Sequence, residues 1–249
     1  MFLAVDIGNT NITFGVFNEE SLIQTFRLNS DKNLPQEQYE KLIKDYCKHF
    51  NIKNCVIGSV VEELSFRIQN ACNNSFGINS LLINNNSNLD LNFAVKNPQK
   101  VGIDRIANVY ASKIKYTTPV IVIDIGTAIT FDIVSKNNQF VGGIIMPGLN
   151  LQSKALNTYT SKLPHINISS AKKTIGDSTE TAILSGIIRG TAYAIEGLIS
   201  QCEAELGMKA TIVATGGQAY LISKYMNRNF DYIDTTLTLE GLKLLYKIN

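Results

Sequence analysis

Two stretches of this 249-residue chain carry nearly the same motif, an aspartate followed by a glycine turn between two apolar segments. They are Asp6-Ile7-Gly8-Asn9-Thr10-Asn11-Ile12-Thr13-Phe14 and Asp124-Ile125-Gly126-Thr127-Ala128-Ile129-Thr130-Phe131, and they differ at one position once Asn9 is removed. Each pattern predicts a strand, a glycine turn and a second strand. Because the motifs stand at matching places in two halves of the chain, the sequence predicts two related domains with a cleft between them.

Composition and charge exclude several classes of function. Hydrophobic residues make up 45% and charged residues 18%, which is typical of a globular chain, and the net charge of +2 is too small for a nucleic-acid binder. The four cysteines form no Cys-x-x-Cys pair, as expected for reduced thiols in the cytoplasm. The first residues lack the basic segment of a signal peptide, and polar residues interrupt the apolar run at 119–134, so we expect no membrane span.

The pattern of apolar residues predicts the same order of elements in both halves. In the first half we expect strands at 2–7, 11–17, 21–28, 55–60 and 80–83, with helices at 35–50 and 62–73. In the second half we expect strands at 119–125, 128–135, 139–146 and 211–214, with helices from 149, at 179–206 and at 237–248. Thr117-Thr118-Pro119 is the expected boundary, which gives domains 1–117 and 118–249. This α/β layout resembles the actin, hexokinase and sugar-kinase fold, whose duplicated ribonuclease-H-like domains close over ATP.

The chemistry of the hairpins supports phosphate binding. A carboxylate at the end of a buried strand is costly unless a cation or donors compensate it, and glycine lets a phosphate approach backbone amides. One such hairpin alone is equally well a tight turn, but two favour bound metal and phosphate. We expect Gly8, Asn9, Thr10 and Asn11 around the phosphates of ATP, with Asp6 acting through Mg²⁺ or its waters. Neither a P-loop nor a Gly-x-Gly-x-x-Gly motif occurs, so the hairpins must bind the phosphates.

Two further segments have both a functional and a structural interpretation. Thr215-Gly216-Gly217 follows a predicted strand, where the glycine pair either lets adenosine approach the backbone or only turns the chain. Pro98 and Gly102 interrupt the chain before a helix that begins near Asp104 and Arg105. By spacing alone, Asp104 is more simply a first-turn aspartate that complements the helix dipole.

Taken together, the motifs closely resemble those of the type III pantothenate kinases over essentially the whole chain. The matching segments are Asp6-Ile7-Gly8-Asn9-Thr10, Asn97-Pro98, Val101-Gly102-Ile103-Asp104-Arg105, Asp124-Ile125-Gly126-Thr127-Ala128, Gly142-Gly143-Ile144-Ile145-Met146-Pro147-Gly148, Thr179 and Thr215-Gly216-Gly217. The resemblance implies ATP-dependent phosphorylation of pantothenate, the first step of coenzyme A synthesis. It also implies a cytoplasmic homodimer that uses Mg²⁺ and a monovalent cation, K⁺ or NH₄⁺.

The resemblance also implies roles for particular residues. Asp104 is the expected catalytic base, and Asp124 is the expected ligand of the monovalent cation. The expected ATP-binding residues are Asp6, Ile7, Gly8, Asn9, Thr10, Asn11, Ile12, Thr13 and Thr127. The expected pantothenate-binding residues are Gly102, Ile103, Asp104, Arg105 and Thr179. For Thr179, at the head of the long helix, a capping role is the structural alternative.

The chain departs from the family pattern at two positions. Ile103 stands where the family usually has alanine, and Val95 stands where it commonly has a substrate-contacting tyrosine. The Val95 departure leaves open a kinase of the same fold that acts on a different small alcohol, and a non-catalytic nucleotide-binding regulator is the alternative outside enzymes. The apolar residues of the long helix could form a dimer interface or the core, and we expect a mixture of both; they are Ile183, Leu184, Ile187, Ile188, Ile195 and Leu198.

Overall fold

A computed structural model describes residues 1–19 and 21–249, which form two compact units. The first unit comprises Met1–Leu91, Val95–Ile114 and Thr236–Asn249, and the second comprises Asn92–Ala94 and Lys115–Thr235. The main part of the second unit begins at Lys115, close to the predicted boundary at 117–119, and residues 92–94 also belong to this unit. The C-terminal segment differs from the predicted domain 118–249, because it packs within the first unit. Its amphipathic pattern predicted a helix correctly but carries no information on which sheet the helix covers.

The first unit is built on a five-stranded sheet. Its strands are β1 (Phe2–Ile7), β2 (Asn11–Asn18), β3 (Ser21–Asn29), β4 (Asn54–Ser59) and β5 (Leu81–Ile83), in the order β3-β2-β1-β4-β5. Strands β1 to β3 form the predicted antiparallel meander, and β4 and β5 run parallel to β1. The helices are α1 (Gln36–Cys47), α2 (Glu62–Phe76) and α3 (Ile103–Lys115), with a short 3₁₀ turn at Pro98–Lys100.

The second unit repeats this arrangement. Its strands are β6 (Asn92–Phe93), β7 (Val120–Ile125), β8 (Ala128–Val134), β9 (Gln139–Pro147), β10 (Thr211–Thr215) and β11 (Tyr232–Ile233). Their order is β11-β10-β7-β8-β9-β6. Read in reverse, the first five strands (β9-β8-β7-β10-β11) correspond to β3-β2-β1-β4-β5 of the first sheet. The helices are α4 (Leu149–Tyr159), α5 (Thr179–Leu206) and α6 (Ala219–Ser223), and the chain then returns to the first unit as α7 (Leu237–Tyr246). The predicted duplication is therefore confirmed at the level of topology.

Each unit has its own hydrophobic core on one face of its sheet. In the first unit, alternate residues of the central hairpin enter the core, among them Leu3, Val5, Ile7, Ile12 and Phe14. In the second unit the equivalent strands and α5 form the core. Five of the six apolar α5 residues named above are buried there and Leu198 packs against them, which favours the core alternative for this face of the helix.

Helix α5 is also, by length and composition alone, apolar enough to cross a membrane. Half of its most apolar 18-residue stretch is buried inside the protein. A core helix of a globular unit has the same properties, and the contacts of α5 with the core of the second unit account for its apolar character.

The cysteines are free thiols, as predicted. Cys47, Cys55 and Cys72 lie in the core of the first unit, each no more than 2% exposed. Burial raises the pKa of the Cys47 thiol to about 12 and that of Cys55 well above its ordinary value. The Cys47 and Cys55 thiols are therefore neutral at physiological pH, and all three cysteine side chains act as small apolar groups in the packing.

A buried ion pair holds the end of α5 in the second unit. The Glu203 side chain is 5% exposed, and its two carboxylate oxygens accept hydrogen bonds from the Arg228 guanidinium, both at 2.8 Å. Lys209 Nζ and the backbone N–H of Ala210 donate to the same carboxylate. These donors, Arg228 first, lower the pKa of Glu203 to about 2. The carboxylate therefore stays ionised and ties α5 to the segment that follows α6.

We expect Glu203→Gln to lower the free energy of unfolding by about 2–3 kcal/mol, because it leaves Arg228 without its charged partner. Chemical denaturation at pH 7 measures this loss. The exposed neighbour Glu205 provides the control, since Glu205→Gln should change stability by less than about 0.5 kcal/mol. Equal losses in the two variants would contradict the assignment. The stabilisation by Glu203 is present above the ordinary glutamate pKa and disappears as the pH falls through about 2.

Candidate active site

The first hairpin forms a tight, polar turn at the end of β1. The backbone N–H of Gly8 donates to the carbonyl of Asn11 at 3.0 Å, and Ile7 pairs with Ile12 where the strands meet. Ser30, at the end of β3, supports the turn: its hydroxyl donates to the Gly8 carbonyl at 2.5 Å, and its N–H donates to the Thr10 carbonyl. Sequence reasoning did not identify Ser30, because one serine after a strand carries no distinguishing pattern.

The side chains of the predicted ATP-binding segment separate into two groups. Asn9, Thr10 and Asn11 are exposed at the turn, and Asp6 and Thr13 are half-buried opposite each other on β1 and β2. Ile7 and Ile12 are fully buried in the core of the first unit. The two isoleucines can therefore meet a nucleotide only through their backbone groups, whereas the polar residues present side chains at the turn.

The second hairpin is one residue shorter. The Gly126 N–H donates to the Ala128 carbonyl at 3.0 Å, and Ile125 pairs with Ile129. This loop has three residues where the first has four, as expected from the extra Asn9. The start of α4 packs directly on this turn, because the Gly148 N–H donates to the Thr127 carbonyl. A Cβ at Gly148 would lie 2.3 Å from the Gly126 carbonyl oxygen, so only glycine permits this approach.

Asp124 lies at the end of β7, opposite Thr215 on β10, and the glycine after Thr215 leaves space for it. A Cβ at Gly216 would stand 2.4 Å from Asp124 Oδ1 and 2.7 Å from the Ile125 backbone. Gly126 is the other glycine beside this carboxylate, with its Cβ position 3.5 Å from the same oxygen. Glycines thus border the carboxylate on two sides, a setting that fits a cation or a phosphate-bound ligand.

Asp104 lies in the first turn of α3, as predicted. Its Oδ1 accepts a hydrogen bond from the Arg105 N–H at 2.7 Å. Burial raises the pKa of the Asp104 carboxyl above its ordinary value, although the N–H and the positive charge of Arg105 act in the opposite direction. A carboxylate with a raised pKa is a better proton acceptor than one in water, and perturbed groups of this kind are characteristic of catalytic sites.

The residues around Asp104 fix where its carboxylate points. A Cβ at Gly102 would lie 2.5 Å from Asp104 Oδ1 and 3.3 Å from Val60, so glycine is needed for the observed rotamer. Ile103 is 6% exposed, and its Cγ2 would lie 3.0 Å from a Cβ at Gly58 of β4. Its side chain therefore serves the packing of α3, and the extra bulk relative to alanine fills space in the protein. Arg105 is half-buried beside Asp104.

Thr179 is the first residue of α5 and is exposed. The N-cap is Ser178, whose hydroxyl accepts from the Thr181 N–H at 3.2 Å in a capping box with Thr181. The alternative that Thr179 caps the helix is therefore wrong. Thr179 borders an apolar groove of about 860 Å³ between α4 and α5, which Leu156, Tyr159 and Ile183 also line. The structure thus places this threonine in a groove of the second unit.

Within the described residues, no three His, Cys, Asp or Glu side chains come together as a metal cluster. The predicted metal-binding groups, Asp6 and Asp124, are single carboxylates beside glycine turns. Mg²⁺ commonly binds through one or two carboxylates and the phosphates of its nucleotide, so Asp6 suits that mode. Asp124 suits a monovalent cation in the same way, as one oxygen donor among backbone groups.

Comparison with solved structures defines the class of fold. The chain is similar to an activator of 2-hydroxyisocaproyl-CoA dehydratase from Clostridium difficile with bound ADPNP (TM-score 0.53, 14% identity, 99% of this chain and 95% of that one). It is similar to a ROK family glucokinase from Streptomyces griseus in complex with glucose and AMPPNP (TM-score 0.53, 13% identity, 98% of each chain). A protein from Campylobacter jejuni described as a Baf family transcriptional activator gives a TM-score of 0.62 at 24% identity, over 98% of this chain and 97% of that one. The chain therefore has the actin-like ATPase fold that was predicted.

The sequence comparisons identify the family within this fold. The family model of the type III pantothenate kinases matches residues 2–201. A type III pantothenate kinase from Bacillus cytotoxicus is 35% identical over 100% of this chain and 97% of its own, and one from Finegoldia magna is 37% identical over 100% and 98%. The chain belongs to the type III pantothenate kinase family. It is a kinase, and the reaction of its family is the ATP-dependent phosphorylation of pantothenate in coenzyme A biosynthesis.

Proposed function

We propose that this chain phosphorylates pantothenate to 4'-phosphopantothenate with Asp104 as the general base. The observation that carries the assignment is the carboxylate itself: it is largely buried in the first turn of α3, held by the Arg105 N–H, and its pKa is raised. Such a group both orients a primary hydroxyl and accepts its proton as the oxygen attacks the γ-phosphate. ADP is then the leaving group, and the proton remains on Asp104.

Three of the proposed substrate residues, Gly102, Ile103 and Arg105, lie next to this carboxylate in the chain, and the fourth, Thr179, lies in the second unit. Gly102 and Arg105 flank Asp104, so they are suited to hold the alcohol and its chain near the base. Ile103 contributes through packing, because its side chain is buried. Thr179 offers a hydroxyl that helix capping does not require, next to an apolar groove that suits the methyl groups of pantothenate. At Val95 no phenol is available, so the tyrosine contact of the family is either lost or supplied by another residue of this chain or of a second subunit.

The proposed ATP-binding residues lie on a polar turn in each unit. In the first unit, the backbone of residues 7–13, the side chains of the exposed residues 9–11 and the Asp6 carboxylate are suited to phosphates and Mg²⁺. In the second unit, Thr127 is exposed on its turn and Asp124 is proposed as a ligand of K⁺ or NH₄⁺. Bound cations would neutralise charge on the phosphate oxygens, which is the main requirement of phosphoryl transfer.

We also propose that the enzyme is a cytoplasmic homodimer, as its family resemblance implied. The second unit exposes several large apolar side chains on β9, α4 and α5, which a second copy of the chain could cover. They are Ile145 (65% exposed), Leu151 (42%), Tyr159 (86%) and Tyr193 (48%). Covering them by a second copy would remove this apolar area from water.

The test is ADP release by the purified protein with Mg²⁺, ATP and pantothenate, in buffers that contain either KCl or NaCl. We expect turnover that requires pantothenate and is at least about tenfold faster with K⁺, because a bound monovalent cation would add positive charge near the phosphates at the second turn. Asp124→Asn should remove the preference for K⁺. A folded protein that binds ATP yet shows no pantothenate-dependent turnover would contradict the proposal and favour another alcohol substrate or a regulatory role.

A further inference from the structure

Helix α7 packs against α3, the helix that carries Asp104, within the first unit. The hydroxyl of Thr238 on α7 donates a hydrogen bond to Asn108 Oδ1 on α3 at 2.8 Å. One turn further along α7, Gly241 lies close to Ala107 of α3. A Cβ at Gly241 would stand 2.1 Å from the carbonyl oxygen of Ala107. These contacts place one face of α7 directly on α3.

Both helices also pack against the sheet at the same strand position, Gly58 of β4. A Cβ at Gly58 of β4 would lie 2.5 Å from Leu242 of α7 and 3.0 Å from Ile103 of α3. The absence of a side chain at Gly58 therefore lets both residues reach the strand. Along α7, the contact positions advance from residue 238 to 242, whereas along α3 they move back from residue 108 to 103. The direct contact between the two helices therefore centres on the approach of Gly241 to Ala107, about one helical turn from Asp104 along α3.

The hydrogen bond to Asn108 fixes the rotation of α3 about its axis. Asn108 is 1% exposed, and it stands four residues after Asp104, so both side chains lie on the same face of the helix. A hydrogen bond to a buried amide oxygen is costly to lose, so it favours the orientation of α3 in which the Thr238 hydroxyl reaches Asn108 Oδ1. Any rotation that lengthens this bond would also swing the Asp104 carboxylate.

We propose that Thr238, acting through Asn108, is a positioning residue that holds the Asp104 carboxylate in place for proton transfer. The inference rests on the proposed role of Asp104 as the base. Thr238 lies beyond residues 2–201, the part of the chain that the family model matches. Because Asp104 Oδ1 is bound to the Arg105 N–H and lies against Gly102, the carboxylate moves with the helix turn and has little freedom to correct its own position.

The experiment compares Thr238→Val with Thr238→Ser in the intact protein. Valine keeps the shape of threonine but removes the donor, and serine keeps the hydroxyl. For Thr238→Val we expect kcat to fall on the order of tenfold, with KM for ATP changed less than about twofold, because a misplaced base affects the chemical step. The acidic limb of the kcat/KM profile should also shift, since a carboxylate that has moved has a different burial. Thr238→Ser, which keeps the hydroxyl, should have the kcat and the pH profile of the wild type.

Two further variants keep the outcomes distinct. Ile68→Val removes one methyl group from the core of the first unit, away from α3, and should lower the melting temperature without changing the pH profile. Thr238→Val with wild-type kcat, or a loss of kcat in Ile68→Val as large as that in Thr238→Val, would overturn the inference. Asp104→Asn tests the underlying assignment separately. Full turnover in that variant would show that Asp104 is not the base, and the positioning role of Thr238 would then be rejected as well.

Discussion

Replacing Asp104 with asparagine should lower pantothenate-dependent ADP release by about a thousandfold while leaving the protein folded. Asparagine has nearly the same shape as aspartate, and its amide oxygen can still accept the hydrogen bond that the Arg105 N–H now donates to Asp104 Oδ1. It has no basic oxygen to take the proton of the substrate hydroxyl. A steady-state assay of ADP release measures the loss, and ATP titration by calorimetry should give an affinity within a few-fold of wild type.

The same substitution should make the protein more stable at neutral pH. Burial raises the pKa of Asp104, which means that the folded state favours the neutral carboxyl. Its contribution to stability is therefore full below the ordinary aspartate pKa and is lost as the pH rises through the raised value. Above that pH the wild type has to keep a buried charge, and Asp104→Asn does not. The melting temperature of the variant should exceed that of wild type at pH 7, and the difference should shrink in acid.

The pH dependence of wild-type activity follows from the same shift. A general base must be ionised, so kcat/KM should fall as the pH is lowered through the raised pKa, above the value of about 3.9 for aspartate in water. Asp45→Asn, at an exposed position of α1, is the matched control and should change neither activity nor this profile. Substantial turnover by Asp104→Asn, or equal losses in the two variants, would show that Asp104 is not the base.

The features that were predictable from the sequence are those that a local pattern specifies. The two Asp-x-Gly hairpins were recognisable because apolar strands flank each glycine turn, and their repetition revealed the duplicated topology. The single inserted Asn9 appears in the structure as a loop of four residues in place of three. Pro35, immediately before α1, and the position of Asp104 in the first turn of α3 also follow from local rules.

The features that were missed depend on contacts distant in sequence. Strands β6 and β11 have two residues each, too short for an alternating pattern, and they exist because neighbouring strands offer an edge. The packing of α7 in the first unit depends on close approaches at Gly58 and Gly241. Neither glycine stands in a turn motif, so their sequence neighbours give no indication of that role. Ser30 likewise became visible only when the end of β3 was found beside the first hairpin.

Gly216→Ala should strongly reduce K⁺-stimulated turnover, because it disturbs the turn beside Asp124 in the second unit. Gly216 has φ +87°, a left-handed conformation that costs alanine about 1–2 kcal/mol. In addition, the new methyl group would meet Asp124 Oδ1 at 2.4 Å and the Ile125 backbone at 2.7 Å, so either the carboxylate or the turn has to move. A displaced Asp124 can no longer hold a cation at its proposed position. We therefore expect at least about a hundredfold loss of K⁺-stimulated turnover, the size of effect that follows a displacement of about 1 Å.

Gly197→Ala is the matched control, because Gly197 lies on an exposed position of α5 and a Cβ there meets nothing within 4 Å. Alanine is the better helix former, so this variant should gain about 0.5–1 kcal/mol of stability and keep its activity. Potassium titrations of ADP release, together with calorimetric ATP binding, separate the two variants. If Gly216→Ala folds and responds to K⁺ as the wild type does, then the close approach of Gly216 to Asp124 serves only the packing of β10 on β7. If Gly216→Ala folds but no longer responds to K⁺, then the glycine pair and Asp124 act as one site. In that site the backbone after β10 sets the position of the carboxylate at the end of β7.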